Sequence, residues 1–140
     1  MPYIEYGVNG KPIFRDFPSV SFSLSHAKGM VAAVISDHED VGIDIERIDI
    51  DRLDAYRAIA RSRYFEGERE KLKACEGSEL EEIKSFLSIW TQKEAAAKIL
   101  QISPLSLNTC EFSSEIHVLT AIHDEKYVVS LLKKTRGKDK

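Results

Sequence analysis

No apolar run in this sequence approaches the roughly 20 residues that a membrane-spanning helix needs. The opening MPYIEYGVNGKP lacks the basic start and apolar stretch of a secretory signal. Cysteine is scarce: Cys75 and Cys110, each followed by glutamate, are the only two in 140 residues. Without an export signal, this predicts two reduced thiols with no functional role rather than a disulfide framework. No CxxC or clustered His/Cys pattern points to zinc. Positive charge is not in excess either, because 20 Lys and Arg face 23 Asp and Glu for a formal net charge of −3. That balance argues against broad nucleic-acid binding. These absences predict a cytoplasmic protein with neither a membrane nor a nucleic-acid partner.

What remains is globular in character, with 43% hydrophobic and 31% charged residues. The length suits one domain, read as residues 1–136, with the end of KKTRGKDK forming a solvated basic tail over 137–140. Residues 1–19 contain Gly7, Gly10, Pro2, Pro12 and Pro18 and read as extended or looped chain with little regular structure. In Val20–Ala27, Val20, Phe22 and Leu24 alternate with serines, a strand signature. Met30–Ser36 is apolar and β-branched, and Val41–Ile48 alternates again, with short turns between the three. Asp49 or Asp51 can cap a helix carrying Leu53, Tyr56, Ile59 and Ala60. Ser78 with Glu81 is a candidate capping box opening a long helix to about Leu100, and EIHVLTAI–HDEK–YVVSLLKK reads as a closing hairpin. The expected class is α+β: an antiparallel three-stranded meander plus a C-terminal hairpin, packed against a long helix.

Two stretches carry chemistry. In VGIDIERI, Asp44 and Glu46 occupy same-face strand positions roughly 6–7 Å apart, where like charges repel. In WTQKEAAAK, Trp90, Glu94 and Lys98 are spaced i, i+4, i+8 along one helix face, and Ala95, Ala96 and Ala97 allow another element to come close. Each stretch alone has a plain structural reading. Glu94–Lys98 is the favoured order for a surface helical ion pair of about 0.3–0.5 kcal/mol. Asp44 and Glu46 suit the solvated face of an edge strand, and His26 suits a hydrogen-bonded turn or core histidine. Taken together, three carboxylates, a lysine and a histidine fit a hard divalent cation, with Mg²⁺ offsetting the acid repulsion and phosphate oxygens completing its shell.

Four ordered signatures, Gly10-Lys11-Pro12, FSLSH (Phe22–His26), GIDIE (Gly42–Glu46) and WTQKEAAAK, resemble the 4′-phosphopantetheinyl transferases of the surfactin-synthetase-activating type. RYFEGEREKL resembles that family's aromatic-rich segment, and the likeness runs from about Tyr6 to Leu107. The resemblance implies transfer of phosphopantetheine from coenzyme A to a serine of an apo acyl, peptidyl or aryl carrier protein, releasing 3′,5′-ADP. It implies Asp44, Glu46 and Glu94 as Mg²⁺ ligands, with Glu94 also the base and Lys98 the diphosphate-binding and leaving-group-stabilising cation. Ser25 and His26 would contact phosphates of the 3′,5′-ADP moiety, and Lys11 and Pro12 would lie along the adenine pocket. Lys93 is implied to have at most a secondary role.

The chain also departs from the pattern. It resembles the second half of a pseudo-dimeric fold about twice its size, so a homo-oligomer is expected to replace the absent half. ILQISPLSL follows the helix without the glycine-rich turn of many relatives, and Glu68 and Glu70 flank the position where an acid is expected, so neither is assigned to metal. Arg57, Arg61 and Arg63 could meet an acidic carrier helix or simply be solvated, and His117 and His123 read as structural or exposed. Two other readings compete with the transferase. One is a non-catalytic half-size relative that binds coenzyme A or a carrier, or serves as a subunit. The other is an unrelated metal-dependent phosphodiester enzyme, which the acidic charge and the SH and WTQKE stretches disfavour.

Overall fold

The computed structural model describes residues 4–6, 12–14, 16–17 and 19–136, with only the backbone described at Ile4, Pro12 and Phe14. Lys11, the Pro12 side chain and the 137–140 tail therefore lie outside the described residues. Two short strands, β1 (Ile4–Tyr6) and β2 (Pro12–Phe14), pair antiparallel where the sequence led us to expect irregular chain. Pro12 stands opposite Tyr6 at the end of this pairing, where a missing N–H costs little.

Strands β3 (Ser21–Ala27) and β4 (Met30–Ser36) form an antiparallel hairpin, turned at Gly29 with φ of 82°. The third expected strand, β5 (Glu39–Arg47), does not complete a meander with them. It belongs to a separate antiparallel sheet of order β5-β7-β6, with β6 (Ile116–His123) and β7 (Tyr127–Thr135) forming the closing hairpin. The reason lies along the free edge of β5. Val41, Ile43 and Ile45 donate their N–H groups to the hydroxyls of Ser21, Ser23 and Ser25, at 3.2, 3.0 and 3.1 Å. Those pairs advance together, so β3 and β5 run in the same direction. Side-chain hydroxyls take the place of a backbone ladder, and the short β4–β5 link carries the chain past the start of β3. The α+β class, the closing hairpin and the long helix stand as expected.

A 3-10 turn over Ile50–Arg52, capped by Asp49, leads into α1 (Leu53–Arg63), whose Leu53, Tyr56 and Ala60 face inward. A further helix, α2 (Glu66–Lys73), was not separable in the sequence from its glycine-punctuated surroundings. The long helix α3 (Glu79–Leu100) starts at Ser78, whose hydroxyl accepts the Glu81 N–H at 3.3 Å, and stops at Gln101, which is left-handed with φ of 58°. Phe86 centres the core between α1 and α3, stacking on Tyr56 at 4.7 Å and Tyr64 at 5.0 Å. Ile83, Leu87 and Val128 of β7 bury fully around it, each side chain contributing about 1.5–3 kcal/mol. Further along α3, Ala95, Ala96 and Ile99 pack with Leu107 and Leu132. Both thiols are free, as expected.

Candidate functional site

The site forms where α3 crosses β5. Gly42, Asp44 and Glu46 alternate onto one face of β5, and a Cβ at Gly42 would stand 2.1 Å from the Ala95 carbonyl oxygen. Glycine on the strand and alanine on the helix therefore let the two backbones meet closely. That contact sets the helical face of Trp90, Glu94 and Lys98 over the strand acids.

Asp44 is buried, and its Oδ1 accepts the Ser25 hydroxyl at 3.1 Å. Its Oδ2 is buried with no hydrogen-bond partner, the only such side-chain atom among the described residues. Burial, together with repulsion from Glu46 and Glu94, raises the Asp44 carboxyl to about 7 against the pull of Lys98 and Ser25. Burial also raises Glu46, helped by Glu94 and opposed by Arg52, Lys98 and the Trp90 indole. Glu94 is raised by burial against the pull of Lys98. The three acids thus share one field and resist ionising together.

Lys98 lies between them and the strands. Its ammonium donates to the carbonyls of Leu24 at 2.9 Å and Ile43 at 2.6 Å, bridging β3 and β5, and stands 3.8 Å from Asp44 Oδ1. Burial lowers its proton affinity, while the three acids oppose that.

By donor chemistry these residues fit a hard cation: three carboxylates, one with a buried oxygen lacking any donor. By arrangement, no group of three His, Cys, Asp or Glu side chains among the described residues is set to hold a metal ion. A bound cation would have to draw the acids together. An open recess of about 910 Å³ borders Glu46, with Arg47, Arg52, Tyr56, Lys28 and Lys126 among its walls.

One expected member, His26, is elsewhere, and the residues read as solvated or structural lie away from the site. Ser25 faces the acids, but His26 is on the opposite face of β3, exposed and without a hydrogen bond or ion pair among the described residues. Arg57 is committed to Glu82, with hydrogen bonds of 2.7 and 2.8 Å, while Arg61 and Arg63 are exposed. His117 and His123 are exposed on β6, the sheet's far strand.

Two motif residues have structural roles that the sequence did not disclose. Lys93, fully buried, meets fully buried Glu68 of α2 at 2.8 Å, donates to the Leu107 carbonyl, and lies 5.0 Å from the ring centroids of Tyr64 and Phe65. Burial pushes the Glu68 carboxyl up, but Lys93, Thr109 and the Phe65 N–H outweigh it and hold it below its ordinary value. Thr91 hydrogen-bonds the buried Ser130 of β7 at 2.7 Å, and Ser130 in turn meets Thr120 at 2.8 Å. The one signal available for Lys93 was its position, one residue before Glu94 and so about 100° around the helix from it.

Known proteins match most of this chain. The family model described as the 4′-phosphopantetheinyl transferase superfamily matches residues 40–136. A protein named 4′-phosphopantetheinyl transferase AcpT of Salmonella typhimurium is 37% identical over 98 residues, covering 70% of this chain and 49% of that protein. AcpT of Escherichia coli strain K12 is 36% identical over 99 residues, covering 70% and 48%. The 4′-phosphopantetheinyl transferase psf-1 of Bacillus pumilus is 37% identical over 91 residues, covering 65% and 36%. The chain therefore spans about half the length, or less, of the curated relatives it matches. The matched region takes in β5 from Asp40 onward, α3 and the closing hairpin, and the chain belongs to the 4′-phosphopantetheinyl transferase superfamily.

Proposed function

We propose that this protein transfers 4′-phosphopantetheine from coenzyme A to a serine of an apo acyl, peptidyl or aryl carrier protein, in a Mg²⁺-dependent reaction that releases 3′,5′-ADP. The observation that carries this reading is the shared field of Asp44, Glu46 and Glu94, with Asp44 Oδ2 buried and unpartnered beside a lysine. Asp44, Glu46 and Glu94 would hold the cation, which supplies positive charge to the diphosphate oxygens. Glu94, its proton affinity raised by burial, takes the proton of the carrier serine. The serine oxygen bonds to the pantetheine-side phosphorus as that phosphorus parts from the bridging oxygen, and Lys98 stabilises the charge that 3′,5′-ADP carries away. Positioning and charge neutralisation suffice for such a displacement, and no covalent enzyme intermediate is needed.

The test is to incubate the protein with coenzyme A, Mg²⁺ and an apo carrier and then weigh the carrier. A gain of one phosphopantetheine group is expected. Coenzyme A or carrier binding without that gain would instead support the non-catalytic half-size relative. Asp44→Ala and Glu94→Ala should each abolish transfer while the circular dichroism spectrum stays native, and near-normal activity in either would remove the metal assignment.

The same reading includes a partner. The outer face of the β3–β4 hairpin is apolar, with Leu24 55%, Val31 73% and Ile35 65% exposed. A contiguous apolar patch of this kind fits coverage by a second copy of the chain. Sedimentation should show an oligomer that Val31→Asp dissociates, and a monomeric wild type would overturn this assignment.

A further inference from the structure

Ser21, Ser23 and Ser25 make the same contact three times along β3, each hydroxyl oxygen accepting an N–H of β5. A hydroxyl has one proton to give as well as lone pairs to accept with. Among the described residues, only the last of the three aims that proton at a carboxylate: Ser25 donates to Asp44 Oδ1 at 3.1 Å while accepting from Ile45. One side chain thereby ties the Asp44 carboxylate to the strand seam. Lys98 reinforces the seam at the same level by bridging the Leu24 and Ile43 carbonyls. With Oδ1 engaged by Ser25, Oδ2 is the oxygen left without any donor.

We propose that Ser25 is a positioning residue for Asp44, fixing which carboxylate oxygen is offered to the cation. The inference rests on the reading of Asp44 as a metal ligand. It moves Ser25 away from direct phosphate contact, because its single proton is committed to Asp44. Hydrogen-bond partners behind a ligand orient it, and losing one typically weakens metal binding by about 10–100-fold. Ser23 is a built-in control: it bridges the same two strands at 3.0 Å without touching a carboxylate.

The experiment is calorimetric titration of Mg²⁺ into the wild type and into Ser25→Ala, Ser25→Thr, Ser23→Ala and Asp44→Ala, with a thermal melt of each. The Mg²⁺ concentration for half-maximal transfer is then compared with the KM for coenzyme A. Ser25→Ala is expected to bind Mg²⁺ about tenfold more weakly and to need correspondingly more of it. Its KM for coenzyme A, at saturating Mg²⁺, should be unchanged. Ser25→Thr keeps the hydroxyl and should restore binding, whereas Ser23→Ala should melt earlier yet bind Mg²⁺ as the wild type does. Wild-type Mg²⁺ affinity in folded Ser25→Ala would overturn the inference. Equal weakening in Ser23→Ala, or a loss confined to coenzyme A affinity, would overturn it as well. Equal Mg²⁺ binding by the wild type and Asp44→Ala would remove the metal assignment itself, a failure visible before any serine variant is considered.

Discussion

Two lysines of helix α3, Lys93 and Lys98, stand five residues apart, and their surroundings are built to opposite ends. Lys93 and Glu68 are both fully buried, 2.8 Å apart, and every Glu68 oxygen has a partner, with Thr109 donating from both its N–H and its hydroxyl at 2.8 and 2.6 Å. Lys98 stands 3.8 Å from Asp44, keeps partial exposure, and leaves Asp44 Oδ2 without a donor. In the first pair the surrounding hydrogen bonds overcome the cost of burial and the acid is held ionised. In the second, burial and neighbouring acids prevail and the acid is pushed toward protonation. A saturated ion pair has nothing left to offer a ligand, whereas an under-satisfied one gains from a cation or phosphate. The two motif lysines are alike in the sequence, yet one is saturated within the fold and the other stands among under-satisfied acids, where the proposed function gives it a role in the chemistry.

The comparison breaks most directly at Lys93. Lys93→Met leaves Glu68 buried without its cation and should cost about 3–5 kcal/mol in urea unfolding. A loss below about 1 kcal/mol would contradict the structural role of the pair. Gly42→Ala places a methyl group against the Ala95 carbonyl and should cost about 1–3 kcal/mol, lowering transfer too because α3 must retreat from the strand acids. Lys98→Met should cost only about 1 kcal/mol, measured the same way, while abolishing transfer. If the two lysine variants lost stability equally, the contrast would fail.

The smallest effect is the most diagnostic. Asp44 is raised from 3.8 to about 7, so between those values the folded protein binds the proton that the unfolded chain has released. Its contribution to the stability of the metal-free protein therefore falls as pH rises through 7. Thermal midpoints of Asp44→Asn should gain on the wild type from pH 5 to pH 8, and Mg²⁺ should narrow that gap at pH 8. Glu68 has the opposite sign, because its lowered value means that its contribution is present above the ordinary glutamate range and is lost on acidification.

Much of this was legible before folding was considered. Alternation in VGIDIERI and the i, i+4, i+8 spacing in WTQKEAAAK reflect backbone period alone, so the acids, Glu94 and Lys98 could be assigned to faces. The alanines Ala95, Ala96 and Ala97 signalled a close approach, and the structure shows Gly42 to be the strand residue that meets Ala95. The partner of β5 was not legible, because alternating strands match several neighbours and short turns favour the nearest. The serine seam that decided it arises from three hydroxyls meeting three N–H groups 20 residues away. His26 and Ser25 are adjacent in the chain, and one residue of strand period sends them to opposite faces.

The amino-acid order by itself determined which residues share a face, where the long helix α3 begins and ends, and which side chains can carry charge, since these follow from local period and capping. Only the tertiary structure decided which lysine is satisfied and which is left in tension. Proton affinity depends on burial and on partners from distant segments, and those are set when α2, α3, β3 and β5 are packed together.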